Sequence, residues 1–311
     1  MRKWLASFLV TGALLCAAPP TPVIFDTDMG NDIDDALALA MLHALESRGE
    51  SRLLAVTVTK DNPWAPRYVS AINTFYGRPG IPIGMCRDGV TREDGKYNRQ
   101  TIEKGPFPYS QNFEDAVDLL RRTLEKQKDG TVVMVQVGFS TNLAKLLERD
   151  KDLISRKVKL LSIMAGNFRD TWTEYNIKED LSAAKKLVAG WPTPIVWSGF
   201  EIGDVLKFPA ASIEKDFGWA ANHPVAVAYR HYDKMPYDRQ TWDLTSVLYG
   251  VRTDAKYFDL SEPGEVKLDE KGRSTFAPKP AGRDRMLKVR EEQKQRVMEA
   301  LILLASQPAG K

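Results

Sequence analysis

Cysteine and histidine are nearly missing from this 311-residue chain, which has two of the first and three of the second. Cys16 falls in an amino-terminal apolar stretch, so once that stretch is removed Cys86 is the only thiol left. That excludes an intramolecular disulfide in the mature chain. Cys86 ends the apolar run Ile81–Met85 and reads as buried filler, not as a nucleophile. With so few soft ligands, a zinc site is also excluded. An excess of charge of one sign is missing too, since 44 basic and 41 acidic residues are interspersed and the net charge is +3. Neither nucleic acid nor an anionic lipid surface is an expected partner.

Long apolar runs are scarce as well. The longest, Trp4 to Leu15, is shorter than the about 20 residues that a membrane-spanning helix needs. Arg2 and Lys3 precede it, and Cys16, Ala17 and Ala18 follow. This is the layout of an export signal, so residues 1–18 are expected to be removed, leaving 19–311 periplasmic or extracellular with no stable membrane anchor. Leu15 stands where a lipoprotein signal would carry a small residue.

What is present is an alternation of apolar strands and amphipathic helices. Val23–Phe25 is followed by the helix former DDALALAMLHAL, Leu53–Thr59 by a helical stretch from Trp64 to Tyr76, and then by the apolar Ile81–Met85. Phe113–Lys126 reads as helix, Thr131–Val137 as strand and Leu143–Leu147 as the start of a helix. Val158–Met164 and Pro194–Trp197 read as strands flanking the helix Leu181–Val188. Strands apolar on both faces predict an α/β domain with a mainly parallel central sheet and helices on both sides. Beyond Lys207 the pattern becomes an elaborated carboxy-terminal part, with helices at 222–232 and 243–249, a hairpin at 265–276 and a closing helix at 286–304. No linker or repeat interrupts residues 19–207, so one domain is expected.

Chemistry concentrates in one loop. Asp26, Asp28, Asp32, Asp34 and Asp35 lie within ten residues, between the first strand and the first helix. Five carboxylates so close repel one another unless a cation sits among them, and an all-oxygen set suits a hard ion such as Ca²⁺. A cation-held water beside Asp28 would be a ready nucleophile. Composition alone leaves open an aspartate-based, Mg²⁺-dependent phosphohydrolase, although DTDMG lacks the continuation such enzymes carry. It also leaves open a sugar- or nucleoside-binding protein without catalysis.

The string VIFDTDMGNDIDDALALA resembles the amino-terminal signature of the inosine-uridine-preferring nucleoside hydrolases, with the loop before Asp34 lengthened. The resemblance implies Ca²⁺-dependent hydrolysis of a ribonucleoside N-glycosidic bond. It implies Asp28 as general base and metal ligand, Asp35 as metal ligand and Asp34 as a ribose contact. VQVGFSTNLAKLL is similar to the family's segment in which a carbonyl, here that of Val137, binds calcium; the residues themselves read equally as a strand end and an Asn142 helix cap. MAGNFRDTWTEYNI implies Asn167, Glu174 and Asn176 as sugar contacts, and TVTKDNP implies Asn62. Asp243 in TWDLTSVLYGV matches the last metal ligand, with Asp238 the fallback. Trp242 stands where some members carry a histidine, and with Trp172 it is expected to stack on the base; His223 and His231 are expected to be structural. The family is commonly oligomeric, which makes a homo-oligomer an expectation here. The resemblance runs from Val23 to about Phe276.

Overall fold

The computed structural model describes residues 19–310, so the expected export signal at 1–18 lies outside the described residues. Thirteen strands occur among the described residues. They are β1 (Thr21–Thr27), β2 (Ser51–Val58), β3 (Ile83–Met85), β4 (Glu114–Asp115), β5 (Val132–Gln136), β6 (Val158–Met164), β7 (Ile195–Ser198), β8 (Lys207–Phe208), β9 (Arg239–Gln240), β10 (Asp259–Leu260), β11 (Gly264–Leu268), β12 (Ser274–Pro278) and β13 (Asp284–Lys288). The main sheet runs in the order β12-β11-β13-β7-β6-β5-β1-β2-β3-β4. Every pairing from β13 through β4 is parallel, while β11 joins β12 and β13 antiparallel.

Alternate residues of the central strands feed two separate cores. Val23, Phe25, Val133 and Val135 belong to one hydrophobic cluster, and Ile24, Val132 and Met134 to the other. This is why these strands read as unbroken apolar runs: both faces of the sheet are covered. The helix Asp34–Ser47 is buried from Asp34 through Leu45, lying against β2 and the helices Trp242–Val251 and Glu291–Ala305.

The chain crosses from β1 outward to β2, β3 and β4, then returns to the other side of β1 for β5, β6 and β7. In parallel sheets of this kind the strand order reverses at one point, and a crevice opens there beyond the carboxyl ends. Here it falls between β1 and β5, so the residues after Thr27 and after Gln136 face one another.

Three local expectations are corrected. The stretch 113–126 is helical only from Ala116, because Glu114 and Asp115 form β4 and pair with β3. The expected closing helix at 286–304 starts later, at Glu291, because Met286 to Lys288 complete β13, which pairs with β7 through Asp284, Arg285 and Met286. Asn142 is not a cap: Ser140 occupies that position, and Asn142 lies inside the helix Thr141–Lys157. Its amide donates instead to the Asp26 Oδ1 at 2.8 Å and the Val58 carbonyl at 3.2 Å. Cys86 is buried, and burial pushes its thiol up to about 12.

Candidate active site

Asp28, Asp34 and Asp35 arrive on the loop and first helical turn that follow β1, and Asp243 arrives in the first turn of the helix Trp242–Val251. One carboxylate oxygen from each of Asp34, Asp35 and Asp243 lies within 4.8 Å of the others, and all three residues are buried. The Asp243 N–H donates to Asp34 Oδ2 at 3.0 Å, and the Thr27 hydroxyl donates to Asp35 Oδ1. Burial, reinforced by the neighbouring carboxylates, raises the pKa of each of the three well above its ordinary value. Burial also lifts Asp28 to about 6, with hydrogen bonding from Asn31 opposing it.

Two glycines make this packing possible. Gly30 has φ +116°, a left-handed conformation that strains other residues, and a Cβ there would overlap the Asn98 side chain. At Gly138 a Cβ would stand 2.5 Å from the Asp28 nitrogen, so only glycine lets the loop after β5 approach Asp28.

A cavity of about 480 Å³ opens over this group, lined by Asp28, Asp34, Asp35, Glu174, Asn176 and Asp243 among others. Glu174 caps the helix Tyr175–Glu179, accepting from the Asn176, Ile177 and Gly166 N–H groups. Burial lifts its carboxyl to about 7 despite those donors. The Asn176 amide donates to the Val137 carbonyl at 2.8 Å and the Met164 carbonyl at 3.2 Å, which brings the ends of β5 and β6 to the same place. Three aromatic rings line the same cavity. Trp172 meets Phe200 edge-on at 4.6 Å, and Phe200 lies 5.2 Å from Trp242, whose indole N–H donates to the Phe200 carbonyl.

Of the residues implied by the resemblance, Asn62 and Asn167 are buried but do not line the cavity. Asn62 donates to the Arg92 carbonyl and Asp94, and accepts from the Trp64 N–H. Asn167 accepts from the Arg169 and Asp170 N–H groups. Asp238 accepts from the Ala210 N–H. The histidines lie elsewhere: His223 caps the helix Pro224–Tyr232 and His231 contacts Thr101.

Sequence reading missed Asn31, Lys60 and Arg239. The Lys60 ammonium is buried and donates to Asn31 Oδ1 at 2.6 Å, while the Asn31 amide donates to Asp28 Oδ2 at 2.7 Å. Asp32, which has no counterpart in the resemblance, pairs with Arg239. A lysine between a strand and an asparagine was the one available signal for Lys60; nothing linear connects Asp32 to Arg239.

A larger concavity of about 690 Å³ lies between the helix Leu181–Gly190 and the β11–β12 hairpin. Its Glu265 and Glu270 pair with lysines, so it gathers no comparable carboxylate group.

Residues 23–298 match the family model described as inosine-uridine preferring nucleoside hydrolase. The chain is 31% identical over 210 residues to the pyrimidine-specific ribonucleoside hydrolase RihA of Enterobacter sp. (strain 638), an alignment covering 62% of this chain and 64% of that protein. It is 29% identical over the same length to the RihA of Citrobacter koseri. The chain thus spans less than two thirds of these curated relatives. Among solved structures, the plant nucleoside hydrolase PpNRh1 superposes with a TM-score of 0.74 at 20% identity, covering 93% of this chain and 100% of that one. The purine-preferring ribonucleoside hydrolase of Gardnerella vaginalis gives 0.71 at 19% identity, covering 92% and 99%. These likenesses establish the shared fold, a mostly parallel sheet between helices.

Proposed function

The chain belongs to the inosine-uridine preferring nucleoside hydrolase family, and from that membership we propose that it hydrolyses the N-glycosidic bond of a ribonucleoside, releasing free base and ribose. The observation that carries this reading is the convergence of Asp34, Asp35 and Asp243 in a cavity that Asp28 and three aromatic rings, Trp172, Phe200 and Trp242, also line. Carboxylates suit a sugar and a cation, and indole faces suit a base.

The donor set fits a hard divalent cation, and Ca²⁺ is the proposed ion. The group is buried, all oxygen, and its carboxyls are driven toward the neutral form when only protein surrounds them. Asp28, Asp35 and Asp243, with the Val137 carbonyl, would hold it; Asp34 stands in the same group and serves the ribose. When bound, the cation supplies charge that lowers the pKa of a water in the site.

The rest is done by the chain. Asp28 takes a proton from the attacking water, its basicity raised by burial. Glu174 and Asn176 hold sugar hydroxyls, so binding energy presents the anomeric carbon to attack. Trp172, Phe200 and Trp242 stack against the base and exclude water. Asn62 and Asn167 support this by ordering the loops at 92–94 and 167–170.

Export of the chain and assembly into a homo-oligomer complete the proposal. Incubation with a panel of nucleosides, with Ca²⁺ or with chelator, tests it by release of reducing sugar. Cation-dependent release supports the hydrolase; ligand-induced thermal stabilisation without release would make the protein a binder.

A further inference from the structure

A base leaving a ribose takes both electrons of the broken C1′–N bond, so the departing nitrogen needs a proton or a nearby positive charge. The three histidines are not available for this. His43 is buried, stacked on Tyr76 at 4.7 Å and bonded to Asn73. His223 accepts from the Val225 N–H and contacts the Tyr76 hydroxyl, and His231 contacts Thr101. None lines the cavity.

Two cationic side chains do line it, Lys96 and Arg239. Lys96 is exposed to water, which weakens its field. The Arg239 side chain is only 25% exposed. It stands on the short β9, four residues before Asp243, with its guanidinium 5.2 Å from the ring centres of both Tyr232 and Trp242. Asp32 holds it in a fork, accepting from Nε at 2.8 Å and from Nη2. Among the described residues, Nη1 has no hydrogen-bond partner, so its two hydrogens remain available beside the aromatic wall. Lying over the Trp242 ring, it is held in the aromatic part of the cavity wall, facing the space a base would enter.

We propose, building on the hydrolase reading above, that Arg239 is the catalytic residue that stabilises the departing base, and that Asp32 is its positioning residue. As the C1′–N bond breaks, negative charge spreads over the ring nitrogens and carbonyls of the base. Arg239 donates from Nη1 to one of these acceptors. The oxygen of water forms the new bond to C1′, its proton passes to Asp28, and the base regains a proton by way of solvent as it departs. Arginine keeps its own proton throughout, so its contribution is charge and hydrogen bonding directed at the transition state.

The test compares leaving groups in the full-length protein with Ca²⁺ present. Uridine and inosine release their bases as poorly stabilised anions, whereas p-nitrophenyl β-D-ribofuranoside releases a phenolate that needs no help. Arg239→Gln is expected to lower kcat on the nucleosides by about 100-fold or more while changing turnover of the p-nitrophenyl riboside by less than about 5-fold. Asp32→Asn, which keeps the side-chain shape, should show the same selectivity with a smaller loss. Equal losses on both substrates, or a selective loss in Lys96→Met with none in Arg239→Gln, would overturn the assignment. If Arg239→Gln fails to fold, the Asp32→Asn pattern decides the matter alone. Absence of sugar release by the wild type from either substrate overturns the hydrolase reading, and this assignment with it; release by the wild type with no selectivity in the variants overturns only the assignment.

Discussion

The Asp243 backbone N–H donates to the Asp34 carboxylate at 3.0 Å, joining two helix starts that are 209 residues apart in sequence. Each helix carries its acidic side chains in its first turn, where backbone N–H groups point outward and favour negative charge. Two such termini facing one another place the carboxylates together before any ligand arrives, so the site is built by helix packing and not by the loop alone.

A cation should therefore stabilise the fold. Millimolar Ca²⁺ is expected to raise the Tm of the wild type, in proportion to the logarithm of its concentration above the Kd. In Asp243→Asn that shift should largely vanish, while the variant without added metal melts no lower than the wild type, because burial already drives this carboxyl toward the neutral form that asparagine imitates. A Ca²⁺-dependent shift of undiminished size in Asp243→Asn would remove that residue from the ligand set.

Glu174 offers a pH signature. Its carboxyl is raised by burial from 4.5 to about 7, so the folded state binds its proton more tightly than the unfolded state. The resulting stabilisation is complete below the unfolded pKa and is lost as pH rises through about 7. Glu174→Gln, which imitates the protonated form, should accordingly gain Tm relative to the wild type as chelated protein is taken from about pH 4.5 to about pH 8. A difference in Tm that stays flat across that range would contradict the buried assignment.

Asn142 ties β1, β2 and the helix Thr141–Lys157 together through Asp26 and the Val58 carbonyl. Replacing it with alanine leaves Asp26 with one donor fewer in a buried setting, at a cost of about 1–3 kcal/mol. Urea denaturation would measure this, and a midpoint unchanged from the wild type would show that water replaces the amide.

Gly138 approaches Asp28 so closely that alanine there must displace backbone. Gly138→Ala is expected to cut kcat by at least about 10-fold, since small displacements of a reacting group are costly. Crystallography of the variant would show whether Asp28 moves; a wild-type rate would mean that the strand ends yield without disturbing it.

Trp242 is expected to bind the base by stacking. Trp242→Ala should raise KM for nucleosides more than it lowers kcat, and parallel kinetics on wild type and variant would read this directly. Unchanged values of both would exclude stacking on that ring.

Much of this protein was legible in linear order. Apolar runs such as TVVMVQV announce a strand buried on both faces, and DDALALAMLHAL announces a helix with an acidic start. Five aspartates beside a strand end point to a cation among them; the structure gathers only Asp34 and Asp35 of the five with Asp243, while Asp26 is held by Thr57 and Asn142 and Asp32 by Arg239. These features are local, set by side-chain periodicity and by charge spacing within a dozen residues. Met286–Lys288 were read as helix because residue pattern does not show that β7 has an open edge to fill. Asn142 was read as a cap because its true partners, Asp26 and Val58, belong to strands far earlier in the chain.

Sequence by itself determined the fold class, the acidic loop and the likeness to a known signature. Only tertiary structure decided that Asn62 holds Asp94 in the cavity wall, that Lys60 reaches Asp28 through Asn31, and that Asp32 holds Arg239 over Trp242. The physical reason is that hydrogen bonds and ion pairs depend on distances of a few ångströms between side chains. When the partners are separated by scores or hundreds of residues, those distances are set by how the sheet orders its strands and how the helices pack across it.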